Sequence, residues 1–193
     1  MPLARTALCL VALAIWFWVS MLLTHEIGHV VAAVVTGEKI TYVNIYPGQM
    51  PTTLVAGSPS AAILWAGVLS GWLTPSLIAL GLSQVQRFRT LLWCWVGFCW
   101  AAGGLYLALG GIETLTDTSQ LVRIGTPLWL LIAVGSGATI AGYATFRKNL
   151  VVALQAAEAA PPSPLTLLLV WLALAGWIVV QYLAAQQLAI AVK

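Results

Sequence analysis

Five long apolar segments restrict the folds that this chain can adopt. The segments are residues 7–36, 60–83, 90–111, 127–147 and 165–190. Each can cross the hydrocarbon core of a bilayer as a helix, which takes about 20 residues. Only 7% of the 193 residues are charged and 61% are hydrophobic, whereas a soluble domain is about one quarter charged. The sequence therefore predicts a single all-α, polytopic membrane domain over residues 1–193, with five transmembrane helices.

A short non-helical stretch separates the first two apolar segments. Residues 40–46 are β-prone, Pro47 and Gly48 follow them, and residues 52–55 resemble a returning strand. We therefore expect a small hairpin here. Extended backbone at membrane depth is tolerated only against protein or water, so a hairpin that dips into the membrane should line a functional site.

The strongest chemical signal is the sequence His25-Glu26-Ile27-Gly28-His29, inside the first apolar segment. Residues four apart share a helical face at about 5–6 Å, so both imidazoles can bind one Zn²⁺ at about 2.0–2.1 Å. Glu26 is rotated by about 100° from His25, which places its carboxylate beside the metal rather than on it. We therefore predict His25 and His29 as metal ligands and Glu26 as the catalytic base that takes a proton from zinc-bound water.

The alternative is that the two histidines are core residues satisfied by hydrogen bonds. It would place three ionisable groups within five residues of a spanning helix. Each such group, when charged, costs at least about 2.5–3.5 kcal/mol at mid-membrane, and intramembrane ionisable residues normally mark function. This cost favours the metal site over the core interpretation.

A catalytic zinc usually takes a third protein ligand and leaves one position to water. The chain has no further histidine, so a carboxylate is expected, and counting the crossings places Glu113 and Asp117 on the same side as the motif. Asp117 is favoured because Thr116, Thr118 and Ser119 offer it polar partners, while Glu113 stays open as the alternative. A solvated helix N-cap or turn residue is the other interpretation of Asp117. The chain has five acidic residues in all, namely Glu26, Glu38, Glu113, Asp117 and Glu158.

These residues resemble the site-2 protease family of intramembrane zinc metalloproteases, most closely its compact bacterial branch, in which the motif is His-Glu-x-Gly-His. The resemblance covers residues 15–135, and residues 66–75 look similar to the family's Gly-rich, Pro-containing helix beside the site. Asp117, Leu121 and residues 125–127 match the pattern of the compact branch, which supports Asp117 as a metal ligand by resemblance. In the more widespread form of the family a glycine directly follows the aspartate, whereas Thr118 follows here.

The resemblance implies a zinc endopeptidase that cleaves transmembrane or membrane-associated proteins from within a lipid bilayer, as a multi-pass protein of the bacterial inner (plasma) membrane. An unwound substrate segment would add as a strand to the hairpin. A catalytically inactive scaffold that binds client membrane proteins is the main alternative, and a metal carrier is disfavoured because the chain lacks further intramembrane acids. A nucleic-acid partner is not expected, since the net charge is only +3 and no basic stripe exists.

Membrane orientation stays open at this stage. Five basic residues are expected on the side of the N-terminus and three on the opposite side, which favours a cytoplasmic N-terminus. The family resemblance implies the reverse. The first group is Arg5, Arg87, Arg89, Arg147 and Lys148, and the second is Lys39, Arg123 and Lys193.

Overall fold

The computed structural model describes residues 2–112 and 116–191. Six α-helices and one two-stranded sheet make up the described part of the chain. Every helix except the short α4 is long and apolar enough to cross a membrane, which confirms the predicted all-α membrane fold with five spanning helices. The elements are α1 (Pro2–Thr36), β1 (Ile40–Asn44), β2 (Thr52–Val55), α2 (Ala61–Leu82), α3 (Gln86–Leu109), α4 (Asp117–Arg123), α5 (Leu128–Ala159) and α6 (Pro164–Ala191), and a single 3₁₀ turn, Gly110–Ile112, extends α3.

Four spanning helices lie close to their predicted segments, whereas α5 continues past the predicted end at residue 147 to Ala159. The extension begins with Lys148 and Asn149, which follow Arg147 and interrupt the apolar pattern. It is also rich in alanine and leucine, the residues with the highest helix propensity. Hydropathy therefore underestimates this helix, because its last turns need no apolar environment.

Glycines bring the backbones of α3 and α5 into direct contact. A Cβ atom added to Gly104 would lie 2.6 Å from the carbonyl oxygen of Gly135, and one added to Gly142 would lie 2.3 Å from the backbone nitrogen of Ala101. Small residues permit this close approach between membrane helices, where van der Waals packing provides much of the association energy. The α3–α5 pair thus forms a tightly packed unit of the bundle.

The predicted hairpin is confirmed. Strands β1 and β2 pair antiparallel, with Val43 opposite Thr53 and Asn44 opposite Thr52. Its inner side is held by α6, where the Gln181 side-chain amide donates a hydrogen bond to the carbonyl oxygen of Ile45 at 2.9 Å. The hairpin therefore packs into the protein, beside the end of α1 that carries the histidine motif.

Candidate metal centre

His25 and His29 lie on one face of α1, as their spacing predicts. Their ring centroids are 4.7 Å apart at an angle of 81°, and their Nε2 atoms are 3.0 Å apart. His29 is buried, with 5% of its surface exposed, whereas His25 is half-buried. The pair thus presents two ring nitrogens to one point beside the helix.

The first turn of α2 sets the tautomer of His29. Its Nδ1 atom lies 2.8 Å from the carbonyl oxygen of Ile63. A carbonyl oxygen can only accept, so Nδ1 carries the hydrogen and donates it. Nε2 of neutral His29 is then left with a free lone pair, the arrangement found in most metal-binding histidines.

Asp117, the first residue of α4, completes the group. Its Oδ2 atom lies 2.9 Å from Nε2 of His25 and 3.2 Å from Nε2 of His29. Zinc ligands at about 2.0–2.1 Å in a tetrahedral arrangement are about 3.3–3.4 Å apart, so these separations are close to those a zinc ion requires. The lone pair of His29 Nε2 also faces a carboxylate oxygen, a pairing that a shared cation would stabilise. The three side chains could therefore hold a metal ion.

Burial by itself raises the pKa of Asp117, but the neighbouring His25 and His29 lower it more, and the net result is a pKa well below the usual range. This shift favours the carboxylate, the form in which an aspartate binds a metal.

Hydroxyl groups at the junction of α3 and α4 determine where Asp117 lies. Thr116 is the N-cap of α4, its Oγ1 accepting from Ser119 N and donating to the carbonyl oxygen of Gly110. The Thr118 hydroxyl donates to the carbonyl oxygen of Tyr106 at 3.4 Å. The polar neighbours of Asp117 therefore fix the turn that carries it. Thr116, rather than Asp117, occupies the N-cap position of α4, and only 15% of the Asp117 side chain is exposed. This position and this burial do not favour the interpretation of Asp117 as a solvated N-cap or turn residue.

The other acidic residues have different positions. Glu113, the alternative third ligand, lies outside the described residues. Glu38 follows α1 and accepts a hydrogen bond from the exposed Thr36 hydroxyl at 3.4 Å. Glu158 is exposed near the end of α5, the end that leads away from the histidines. Among the described residues, the only group of metal-binding side chains is His25, His29 and Asp117.

Glu26 is buried beside the two histidines, with 3% of its surface exposed. Its Oε1 atom has no hydrogen-bond partner among the described residues. The Thr53 hydroxyl of β2 faces the Glu26 carboxylate closely enough to interact with it, although the two groups do not reach full hydrogen-bond geometry. As expected of a hairpin that packs inward, β2 lines this part of the site.

Two glycines let α2 approach the motif. A Cβ atom added to Gly67 would lie 2.3 Å from Nε2 of His29 and 3.0 Å from Nε2 of His25. One added to Gly28 would lie 2.3 Å from the carbonyl oxygen of Ala66. The spacing of Gly67 and Gly71 in the sequence indicates only an ordinary small-residue packing face. In the structure, Gly67 also forms the wall behind the Nε2 atoms of His25 and His29.

Tyr106 is a site residue that no sequence motif indicates. Its hydroxyl oxygen accepts a hydrogen bond from the backbone nitrogen of Asp117 at 3.1 Å. Its ring meets the His25 ring edge-on, with centroids 5.8 Å apart. Tyrosine is common near the ends of membrane helices, so its presence at the end of α3 is not a distinctive signal.

One of three comparisons with known proteins finds a match. Residues 2–111, more than half of the chain, match a family model described as Peptidase M50B-like. The matched region includes α1 with its histidine motif, the hairpin, α2 and α3, and it ends before Asp117. No curated protein and no solved structure matches.

Proposed function

Since the chain belongs to the M50B-like peptidases, the site-2 protease family, we propose that it is an intramembrane zinc metalloprotease. It hydrolyses peptide bonds of transmembrane or membrane-associated proteins. The observation that carries this proposal is the convergence of His25, His29 and Asp117 beside the buried carboxylate of Glu26. Ionisable groups at membrane depth are costly, and they normally mark functional sites.

The donor set fits zinc. Two imidazoles and one carboxylate are the ligands of several catalytic zinc sites, which keep a fourth position for water or substrate. When bound, zinc lowers the pKa of a water molecule and polarises the substrate carbonyl group. His25, His29 and Asp117 are the proposed ligands, and Gly67 leaves the space that the two rings occupy.

Glu26 is the proposed general base. Its Oε1 atom has no hydrogen-bond partner among the described residues and is therefore free to accept a proton from the attacking water. The same carboxyl group then returns the proton to the leaving amine. The side chain is buried, and the Thr53 hydroxyl group lies beside it.

The hairpin is the proposed receptor for the substrate backbone. The carbonyl groups of a helical substrate are occupied by its own hydrogen bonds, so a spanning substrate must unwind before cleavage. An unwound segment that adds to the hairpin as a strand would satisfy its backbone groups. Thr53 lies next to Glu26 and so brings the hairpin to the site, which supports this route.

We also propose that the protein is a multi-pass protease of the bacterial inner membrane.

Reversible metal removal tests the proposal. The full chain, purified in detergent, is treated with 1,10-phenanthroline, dialysed, and assayed on unfolded casein and on single-span model peptides before and after Zn²⁺ is added back. We expect cleavage to disappear with the metal and to return with about one equivalent of zinc. Proteolysis that persists in the zinc-free protein would contradict a metalloprotease. Client binding with neither zinc nor cleavage would instead identify an inactive scaffold.

A further inference from the structure

A single side chain on α3 touches two of the three residues that form the candidate metal centre. Tyr106 contacts Asp117 of α4 through its hydroxyl group and His25 of α1 through its ring. It is the only tyrosine of α3. Helix α3, which contributes no predicted ligand, thus links α1 and α4, the two helices that carry the predicted ligands.

The hydroxyl contact concerns the backbone of the predicted ligand. Asp117 is the first residue of α4, and a backbone N–H in the first turn of a helix has no acceptor within that helix. The Tyr106 hydroxyl oxygen supplies the missing acceptor at 3.1 Å. Because the Asp117 side chain has only two rotatable bonds, a fixed backbone largely determines where its carboxylate can lie.

The ring contact concerns the orientation of an imidazole. The Tyr106 and His25 rings are nearly perpendicular, at 87°, with their centroids 5.8 Å apart. Edge-to-face pairs of this kind are favourable, and they restrict rotation of both rings. His25 is the less buried of the two histidines, and within the described part of the chain its Nδ1 atom has no partner like the Ile63 carbonyl group that holds His29. Its ring therefore depends more on Tyr106.

We propose that Tyr106 is a positioning residue of the metal centre, whose hydroxyl group sets the Asp117 backbone and whose ring sets the His25 side chain. The inference rests on the proposed function, since it concerns the same metal ion. It assigns α3 a role in metal affinity and in ligand geometry, in addition to its packing against α5.

Zinc affinity and a cobalt spectrum test this role. Tyr106→Phe removes only the hydroxyl group, and Tyr106→Leu removes the ring as well. Loss of a residue that orients a ligand typically weakens metal binding by about 10–100-fold, so we expect about 10-fold for Tyr106→Phe and more for Tyr106→Leu, measured by competition with a chromophoric chelator. The d–d absorption of the Co²⁺-substituted protein should also change, because it reports ligand geometry.

Two control variants make the test specific. Tyr143→Phe makes the same chemical change at a side chain of α5 that is 60% exposed, and it should leave both readouts unchanged. Thr118→Val removes another contact of the α3–α4 junction, the bond to the Tyr106 carbonyl oxygen, while keeping the tyrosine hydroxyl. We expect its effect on zinc affinity to be several-fold smaller than that of Tyr106→Phe.

Several outcomes would overturn the inference. One is an unchanged zinc affinity and an unchanged cobalt spectrum in Tyr106→Phe. This includes the case in which Tyr106→Phe loses only cleavage, because the hydroxyl group would then act on the substrate and not on the metal centre. Another is an equal loss of affinity in Thr118→Val, which would assign the effect to docking of α4 in general. If Tyr106→Phe does not fold by circular dichroism, an unchanged cobalt spectrum in folded Tyr106→Leu would overturn it as well. A wild-type protein that binds no zinc would instead overturn the proposed function.

Discussion

The Oδ2 atom of Asp117 lies 2.9 Å from Nε2 of His25, although the two residues are separated by 92 positions in the sequence. One belongs to a helix that spans the membrane, and the other begins a short helix that follows α3. Their contact depends on the number of membrane crossings between them and on the turn after α3. It is the contact that joins the histidine motif to a third candidate ligand.

Asp117→Ala should lose most of the bound zinc and all peptidase activity, because two remaining protein ligands rarely hold the metal tightly. Metal analysis of the purified variant gives the answer, with folding checked by circular dichroism. Glu38→Ala is a suitable control, since Glu38 lies beyond the end of α1. Glu113→Ala should keep its zinc. If purified Glu113→Ala contains no zinc while Asp117→Ala is fully metallated, the third ligand is Glu113.

Glu26→Gln should fold and retain zinc but lose proteolysis, because an amide keeps the shape of the carboxylate and cannot accept the proton. General acid–base catalysis contributes about 10²–10⁴-fold, so we expect a loss of at least that size in kcat. Glu158→Gln makes the same change at an exposed position on the far end of α5 and should leave the rate unchanged. Appreciable cleavage by purified Glu26→Gln would refute the proposed role of Glu26.

Gly67→Ala should impair zinc binding, because the new methyl group would lie 2.3 Å from Nε2 of His29 and must displace that ring or move α2. Overpacking of this kind costs about 1–3 kcal/mol. The matched control is Gly81→Ala in the same helix, where an added Cβ atom meets no other atom within 4 Å. Equal zinc content and equal thermal stability in the two variants would show that Gly67 does not form the wall of the site.

Cysteine labelling tests the arrangement of the five spanning helices. Met50 lies in the hairpin with 79% of its surface exposed, Ser163 is exposed before α6, and three spanning helices separate the two. Met50→Cys and Ser163→Cys should therefore react with a membrane-impermeant maleimide from opposite faces. The natural residues Cys9, Cys94 and Cys99 are buried and should contribute little background. Reaction of both variants from one face would contradict the five-helix topology.

The sequence alone determined the spanning helices, the hairpin and the shared face of His25 and His29, because each depends on local properties. Hydropathy over about 20 residues identifies a membrane helix, and the helical repeat brings residues four apart together. Strand-forming residues on either side of a Pro-Gly pair indicate a hairpin. None of these features needs a contact between distant parts of the chain.

Tertiary structure decided the rest of the site. The sequence narrowed the third metal ligand only to Asp117 or Glu113. Which of the two carboxylates reaches the histidines depends on the α3–α4 junction and its hydroxyl groups. Gly67 has the spacing of any small-residue packing face, and only the approach of α2 to α1 places it against both ring nitrogens. Tyr106 belongs to no motif, and its role arises where α1, α3 and α4 meet. These positions follow from how several helices pack at once, and that packing is not encoded in any short stretch of sequence.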